Sequence, residues 1–198
     1  MANLVINREV ASQFRNYFAE YGWININFPD EKKALLATLN PRIDTSREVI
    51  IISTPASGGD REVNRILVNK KPLTASSLII TDQRIVVLSS VDKQINKILH
   101  SDLKYWQRPA IKDSVNGKFE YRLDSSQGIN IVFEVHGATK PGHEDGVNFG
   151  VGLIGALLGA PVMPNNSLDM MRINHNNSLI KALDNLMRAI CDIQGTIL

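Results

Sequence analysis

Ser77-Leu78-Ile79-Ile80-Thr81-Asp82-Gln83-Arg84-Ile85-Val86-Val87-Leu88 decides how this chain folds. Two aliphatic runs, Leu78 to Ile80 and Ile85 to Leu88, flank a short polar stretch. Isoleucine and valine pack well on a pleated surface, so each run reads as a strand. Thr81 to Arg84 is short and polar enough for a tight connection between antiparallel neighbours. The segment predicts a hairpin with Ile79 and Ile85 largely buried. Thr81 and Asp82 are suited to bond the backbone of the turn. Arg84 has two readings: an ion pair with an acid or packing beside the next strand, or contact with an anionic headgroup.

Outward from the hairpin, the strand pattern continues on both sides. Upstream, Val49-Ile50-Ile51-Ile52 is continuous and β-branched, as in a buried strand; Ser57-Gly58-Gly59-Asp60 is a turn, and Val63 to Val68 is a weaker strand. Downstream, Ile95 to Leu99 predicts another strand. Phe119, Tyr121 and Leu123 alternate with Glu120 and Arg122; Ile129, Ile131, Phe133 and Val135 alternate with Asn130, Val132 and Glu134. Successive strand side chains point to opposite faces, so this alternation predicts two strands joined by Asp124 to Gly128. Several short strands separated by turns argue for a sandwich or barrel.

Both ends of the chain change period. After Asn7, a fair helix cap, Val10, Phe14, Phe18 and Tyr21 recur at helical spacing. Asp30 is expected to cap a second helix carrying Leu35, Leu36 and Leu39, stopped by Asn40-Pro41 because the residue before proline avoids the α region. This pair is expected to pack on the main domain or on a partner. Near the other end, Leu179, Leu183, Leu186, Ile190 and Ile193 form one apolar stripe, widened by Ile180, Met187 and Cys191. Ser178 and Gly195 stand where caps belong. A helix with so wide an apolar face must bury it, and the open end of a β-barrel is the simplest place.

Antiparallel strands followed by one amphipathic helix resemble the pleckstrin-homology-like superfold. The stretch Ser77 to Leu88 is similar to the strand-turn-strand of bacterial PH domains and of the related GRAM domain, where an apolar strand runs into Thr, a polar pair, Arg and a second apolar strand. Ile98-Leu99-His100-Ser101-Asp102-Leu103 is similar to that family's next segment. The resemblance implies a mainly β (α+β) fold: a PH-like antiparallel barrel of about seven strands capped by a C-terminal helix. It implies a module that binds lipids, peptides or proteins. The chain departs from the minimal pattern by helices before the barrel and by a long glycine-rich segment before the last helix. The expected organisation is therefore a helical extension over 1–42 and a PH-like domain over 43–198, with a glycine-rich insertion near 137–177.

Composition narrows the function classes. The chain has 198 residues, 43% hydrophobic and 21% charged, as in ordinary globular proteins. Its 22 basic and 20 acidic side chains leave +2, too even for bulk nucleic-acid binding. Cys191 is the single cysteine, which excludes an intramolecular disulfide and fits a reducing compartment. The start, Met-Ala-Asn-Leu-Val-Ile-Asn-Arg, lacks the pattern of a signal peptide. A cytoplasmic location, with peripheral membrane contact as an option, is expected.

No motif for chemistry stands out. His100, His136, His143 and His175 show no zinc spacing with one another or with Cys191. His143-Glu144-Asp145 sits between Pro141-Gly142 and Gly146 and reads as a solvated turn. Gly150-Val151-Gly152-Leu153-Ile154-Gly155 matches a dinucleotide fingerprint by letter, but no strand-helix context or placed acid supports it. No catalytic residue, cofactor or metal is expected. Basic residues are denser in mid-chain, and Arg84, Lys93, Lys97, Lys104 and Arg108 are candidates for an anionic ligand; interspersed acids also allow an ordinary solvated surface. In the uncharged stretch Gly146 to Pro161, Gly155 and Gly159 form a small-xxx-small pair suited to self-association. Packing onto the barrel and shallow membrane contact are the other readings. The expected function is non-catalytic binding of a protein partner or an anionic lipid surface, with a homodimer as an option. The alternative is an enzyme or small-molecule-binding protein whose site is assembled from distant residues.

Overall fold

The computed structural model of the chain describes residues 6–20, 22–54, 63–107, 118–136 and 181–190. Helices α1 (Arg8–Glu20) and α2 (Asp30–Ala37) come first. Strands β1 (Ile50–Ser53), β2 (Val63–Val68), β3 (Lys71–Pro72), β4 (Ser76–Thr81), β5 (Arg84–Ser89) and β6 (Gln94–Leu99) follow. A 3-10 turn, His100–Asp102, leads into β7 (Leu103–Gln107), β8 (Lys118–Ser125) and β9 (Asn130–His136). A helix over 181–190, here α3, is the last described element. The strands form two antiparallel sheets, ordered β1-β4-β5-β6 and β3-β2-β9-β8-β7, so the fold is mixed α+β.

The expected hairpin is β4–β5, paired from Ser76↔Ser89 to Ile80↔Ile85. Ile79 and Ile85 are 1% and 0% exposed. Every residue of both strands is buried, because this hairpin is covered on both faces. Leu78, Ile80, Ile85 and Val87 point into the main core, shared with Tyr121, Leu123, Ile131 and Phe133 of the second sheet. Ile79, Val86 and Leu88 point the other way and meet Leu39, Leu36 and Phe28 from the region of α2. A strand covered on both faces needs no polar alternation, which is why the sequence there is continuously aliphatic.

The expected closed barrel of about seven strands does not form among the described residues. Nine strands divide between two sheets whose ladders do not join, leaving β1 and β6 as edges of one and β3 and β7 of the other. The corner is the His100–Asp102 turn, which sends the chain from one sheet to the other, so β6 and β7 are consecutive but unpaired. Strands β3 and β7 were not signalled by the sequence. The first is two residues long, and Leu103-Lys104-Tyr105-Trp106-Gln107 sets two adjacent aromatics between polar residues and so lacks strand alternation, with its pairing to β8 interrupted between Leu103 and Tyr105.

The helices follow their stripes with shifts. Asn7 caps α1, its Oδ1 accepting the backbone N–H of Glu9 at 2.9 Å. The buried face of α1 is Ala11 and Phe18, with Phe14 and Tyr17 half-buried and Val10 37% exposed, so the stripe is turned from the expected Val10-Phe14-Phe18 line. Asp30 is the first residue of α2, not its cap; Pro29 takes the cap position, and the Asp30 carboxylate accepts from Lys33 Nζ at 3.1 Å. In α3, Leu183, Leu186, Met187 and Ile190 are buried in the main core. Asp184 is buried beside them and accepts a hydrogen bond from the Tyr121 hydroxyl at 3.2 Å, tying α3 to β8. No described helix is long and apolar enough to cross a membrane.

Candidate functional site

Arg84 lies in the interior, 2% exposed. It opens β5 on the face covered by the chain between α2 and β1. Its Nε donates to Glu48 Oε1 at 2.8 Å and its Nη2 to Glu48 Oε2 at 2.7 Å, a bidentate pair, while Nη1 donates to the Pro41 carbonyl. Glu48 is 3% exposed. Thr81 Oγ1 donates to Glu48 Oε1 at 2.6 Å and accepts the backbone N–H of Arg84 at 3.1 Å and of Gln83 at 3.2 Å. Asp82 Oδ1 accepts the Val49 N–H at 2.9 Å. Thr-x-x-Arg thus fastens the β4–β5 turn to the segment entering β1, and a guanidinium held on three sides presents nothing to an outside headgroup. Burial pushes the Asp82 carboxyl up, and the nearby Glu48 charge adds to that, against the Val49 N–H bond.

The other basic candidates do not gather around Arg84. Lys93 is exposed in the β5–β6 turn, at the far end of β5, about 17 Å away at ~3.4 Å per residue. Lys97 is half-buried, and its Nζ donates to the Asn40 carbonyl. The Lys104 backbone lies in β7, and its side chain, like Arg108, Gly155 and Gly159, is outside the described residues. Among the described residues, no three His, Cys, Asp or Glu side chains cluster as metal ligands.

His100 sits at the corner between the sheets, 1% exposed, and neither ring nitrogen has a hydrogen-bond partner. Its backbone N–H donates to the Gln83 carbonyl at 2.9 Å. Burial pulls the imidazole down to about 4; the Asp82 backbone opposes this without meeting hydrogen-bond geometry. The ring is therefore neutral at pH 7.

A concave feature lies elsewhere among the described residues. A cleft of about 350 Å³ opens between α1 and α3, lined by Gln13, Phe14, Tyr17, Lys181, Ala182 and Asn185. Gln13, Phe14 and Tyr17 share one side of α1, and Lys181, Ala182 and Asn185 one side of α3, as three- and four-residue steps require. The floor is aromatic and aliphatic, and the rim carries two carboxamides and one ammonium. None of these residues is a sequence-based candidate. The signal that could have found them is an apolar stripe on α1 wider than its fully buried face: Phe14 and Tyr17 flank Ala11 and Phe18, half-buried against the main core, and their outer edges border the cleft.

Comparison with models of known protein families gives no match, and comparison with curated proteins finds no relative.

Proposed function

We propose that this chain is a non-catalytic binding module of pleckstrin-homology-like architecture that takes a polypeptide segment in the cleft between α1 and α3. The cleft carries this reading. Its volume is at the lower end of the ~300–1,000 Å³ of ligand-binding pockets, enough for one or two anchoring side chains. An apolar floor under a rim of carboxamides suits a polypeptide, because Gln13 and Asn185 each offer a donor and an acceptor to a peptide backbone. The PH-like part of the proposal is supported by the order of strands and terminal helix and by the Thr81-to-Arg84 turn. An anionic membrane surface is less well served. Arg84 is consumed by Glu48, Lys97 by Asn40, and Lys93 stands apart, whereas surface attraction grows with clustered cations.

The test is selection of displayed random peptides on the full chain, followed by NMR mapping of the selected peptides. Resonances of residues 13–17 and 181–185 are expected to shift. Asn185→Trp fills the cleft from an exposed position and is expected to abolish binding with an unchanged thermal melt. Peptides that bind this variant as tightly as the parent would overturn the assignment. Salt-sensitive sedimentation with phosphatidylserine vesicles, without peptide binding, would replace it by the membrane reading.

A further inference from the structure

The charges around the cleft define its occupant further. Among the described residues, Lys181 is the one charged residue in the lining. Lys181, Asn185 and Arg188 follow one another at i, i+4 and i+7 on α3, and all are exposed. Among the described residues neither Lys181 nor Arg188 has an ion pair, a condition they share with other exposed cations such as Arg15, Lys70 and Lys93; what sets Lys181 apart is its place in the cleft. Across the cleft, α1 contributes no charge to the lining; of its four charged residues Glu9 and Glu20 stand toward the cleft side, four residues before Gln13 and three after Tyr17, while Arg8 and Arg15 fall on the opposite side of the helix. The charges nearest the cleft thus differ in sign: Lys181 and Arg188 on α3, Glu9 and Glu20 on α1.

We infer that the cleft takes a polypeptide segment in which an apolar anchor is followed closely by a carboxylate, with the carboxylate on the α3 side beside Lys181. This rests on the proposed binding function and adds a partner chemistry and an orientation to it. The anchor covers Phe14, Tyr17 and Ala182. The acid meets the unmatched ammonium, and Glu9 and Glu20 repel it from α1. Arg188 extends the same attraction about two turns further along α3 for a second acid. An exposed ion pair at this rim gives modest affinity; its larger effect is to set direction and to reject basic sequences, since like charges at a contact are unfavourable.

The probes are three acetylated short peptides of glycine and serine with one leucine anchor, differing only in the next residue: glutamate, glutamine or lysine. They are titrated into the isotope-labelled full chain by NMR. The glutamate peptide is expected to bind about two- to fivefold more tightly than the glutamine peptide, and the lysine peptide weakest, as for exposed ion pairs. The spread is expected to narrow between ~50 mM and ~500 mM salt. Lys181→Glu, at an exposed position, is expected to invert the order. If peptides shift residues 13–17 and 181–185 but the wild-type order is flat or reversed, or Lys181→Glu leaves it unchanged, the charge rule is overturned while the cleft remains a binding site. If no peptide shifts those resonances, both fall.

Discussion

The β4–β5 and β8–β9 hairpins share an architecture and differ in what covers them. Both are antiparallel, and both send alternate side chains into the same core, Ile80 and Val87 from one, Tyr121 and Phe133 from the other. The second face of β4–β5 lies under α2 and the chain that follows it, and all its residues are buried. The second face of β8–β9 carries Glu120 and Arg122, exposed, and Val132 and Glu134, half-buried. Covering both faces forces every polar group on β4–β5 to find an internal partner: Thr81 and Arg84 take Glu48, and Ser77 accepts from the buried Lys32 Nζ at 2.7 Å. Polar side chains on β8–β9 can use water instead. The same secondary structure therefore tolerates very different substitutions in its two copies.

The largest effect is expected at Arg84. Arg84→Met leaves Glu48 buried without its cation and is expected to cost about 3–5 kcal/mol by urea unfolding, whereas the joint change Glu48→Leu with Arg84→Met recovers most of it. A single variant as stable as the parent would remove the contrast between the hairpins at its polar end. At the apolar end, Ile79→Ala on the α2-covered face is expected to cost about 2–5 kcal/mol by the same measurement.

The corner joining the two sheets responds to pH. The folded state holds His100 near 4, below the ordinary histidine value of 6.5, so the unfolded chain binds the extra proton between those limits. Stability from this group is full above pH 6.5 and is lost as pH falls toward 4, by about 3 kcal/mol in all. Asp82 acts in the opposite sense, because its carboxyl is raised and the fold favours its protonated form, so the His100 contribution is read as the difference between the parent and His100→Leu. His100→Leu is expected to flatten the slope of stability against pH in pH-resolved chemical denaturation; an unchanged slope would mean another group carries it.

The smallest effect is expected on the open face of β9. Val132→Thr should change stability by no more than about 0.5 kcal/mol, since water already reaches that side chain. A loss as large as that of Ile79→Ala would show that this face is covered too, and the difference between the hairpins would disappear.

Much of this was legible in the residues. Alternation in Phe119 to Leu123 and Ile129 to Val135, the aliphatic runs on either side of Thr81 to Arg84, and the Leu183–Ile190 stripe each depend on neighbours within one strand or a few helical turns, and such periods fix element type and buried face. Asn7 acts on an N–H two residues away, so its cap could be read from the chain alone. What the tertiary structure decided depends on groups far apart in sequence. Glu48 meets Arg84 across 36 positions, and the cleft joins residues 13–17 to 181–185. Two sheets instead of a closed barrel follow from the turn at His100, which no period marks. Local sequence sets the pattern of each element, but the partners of a buried charge and the walls of a cleft are set by the path that brings distant elements together.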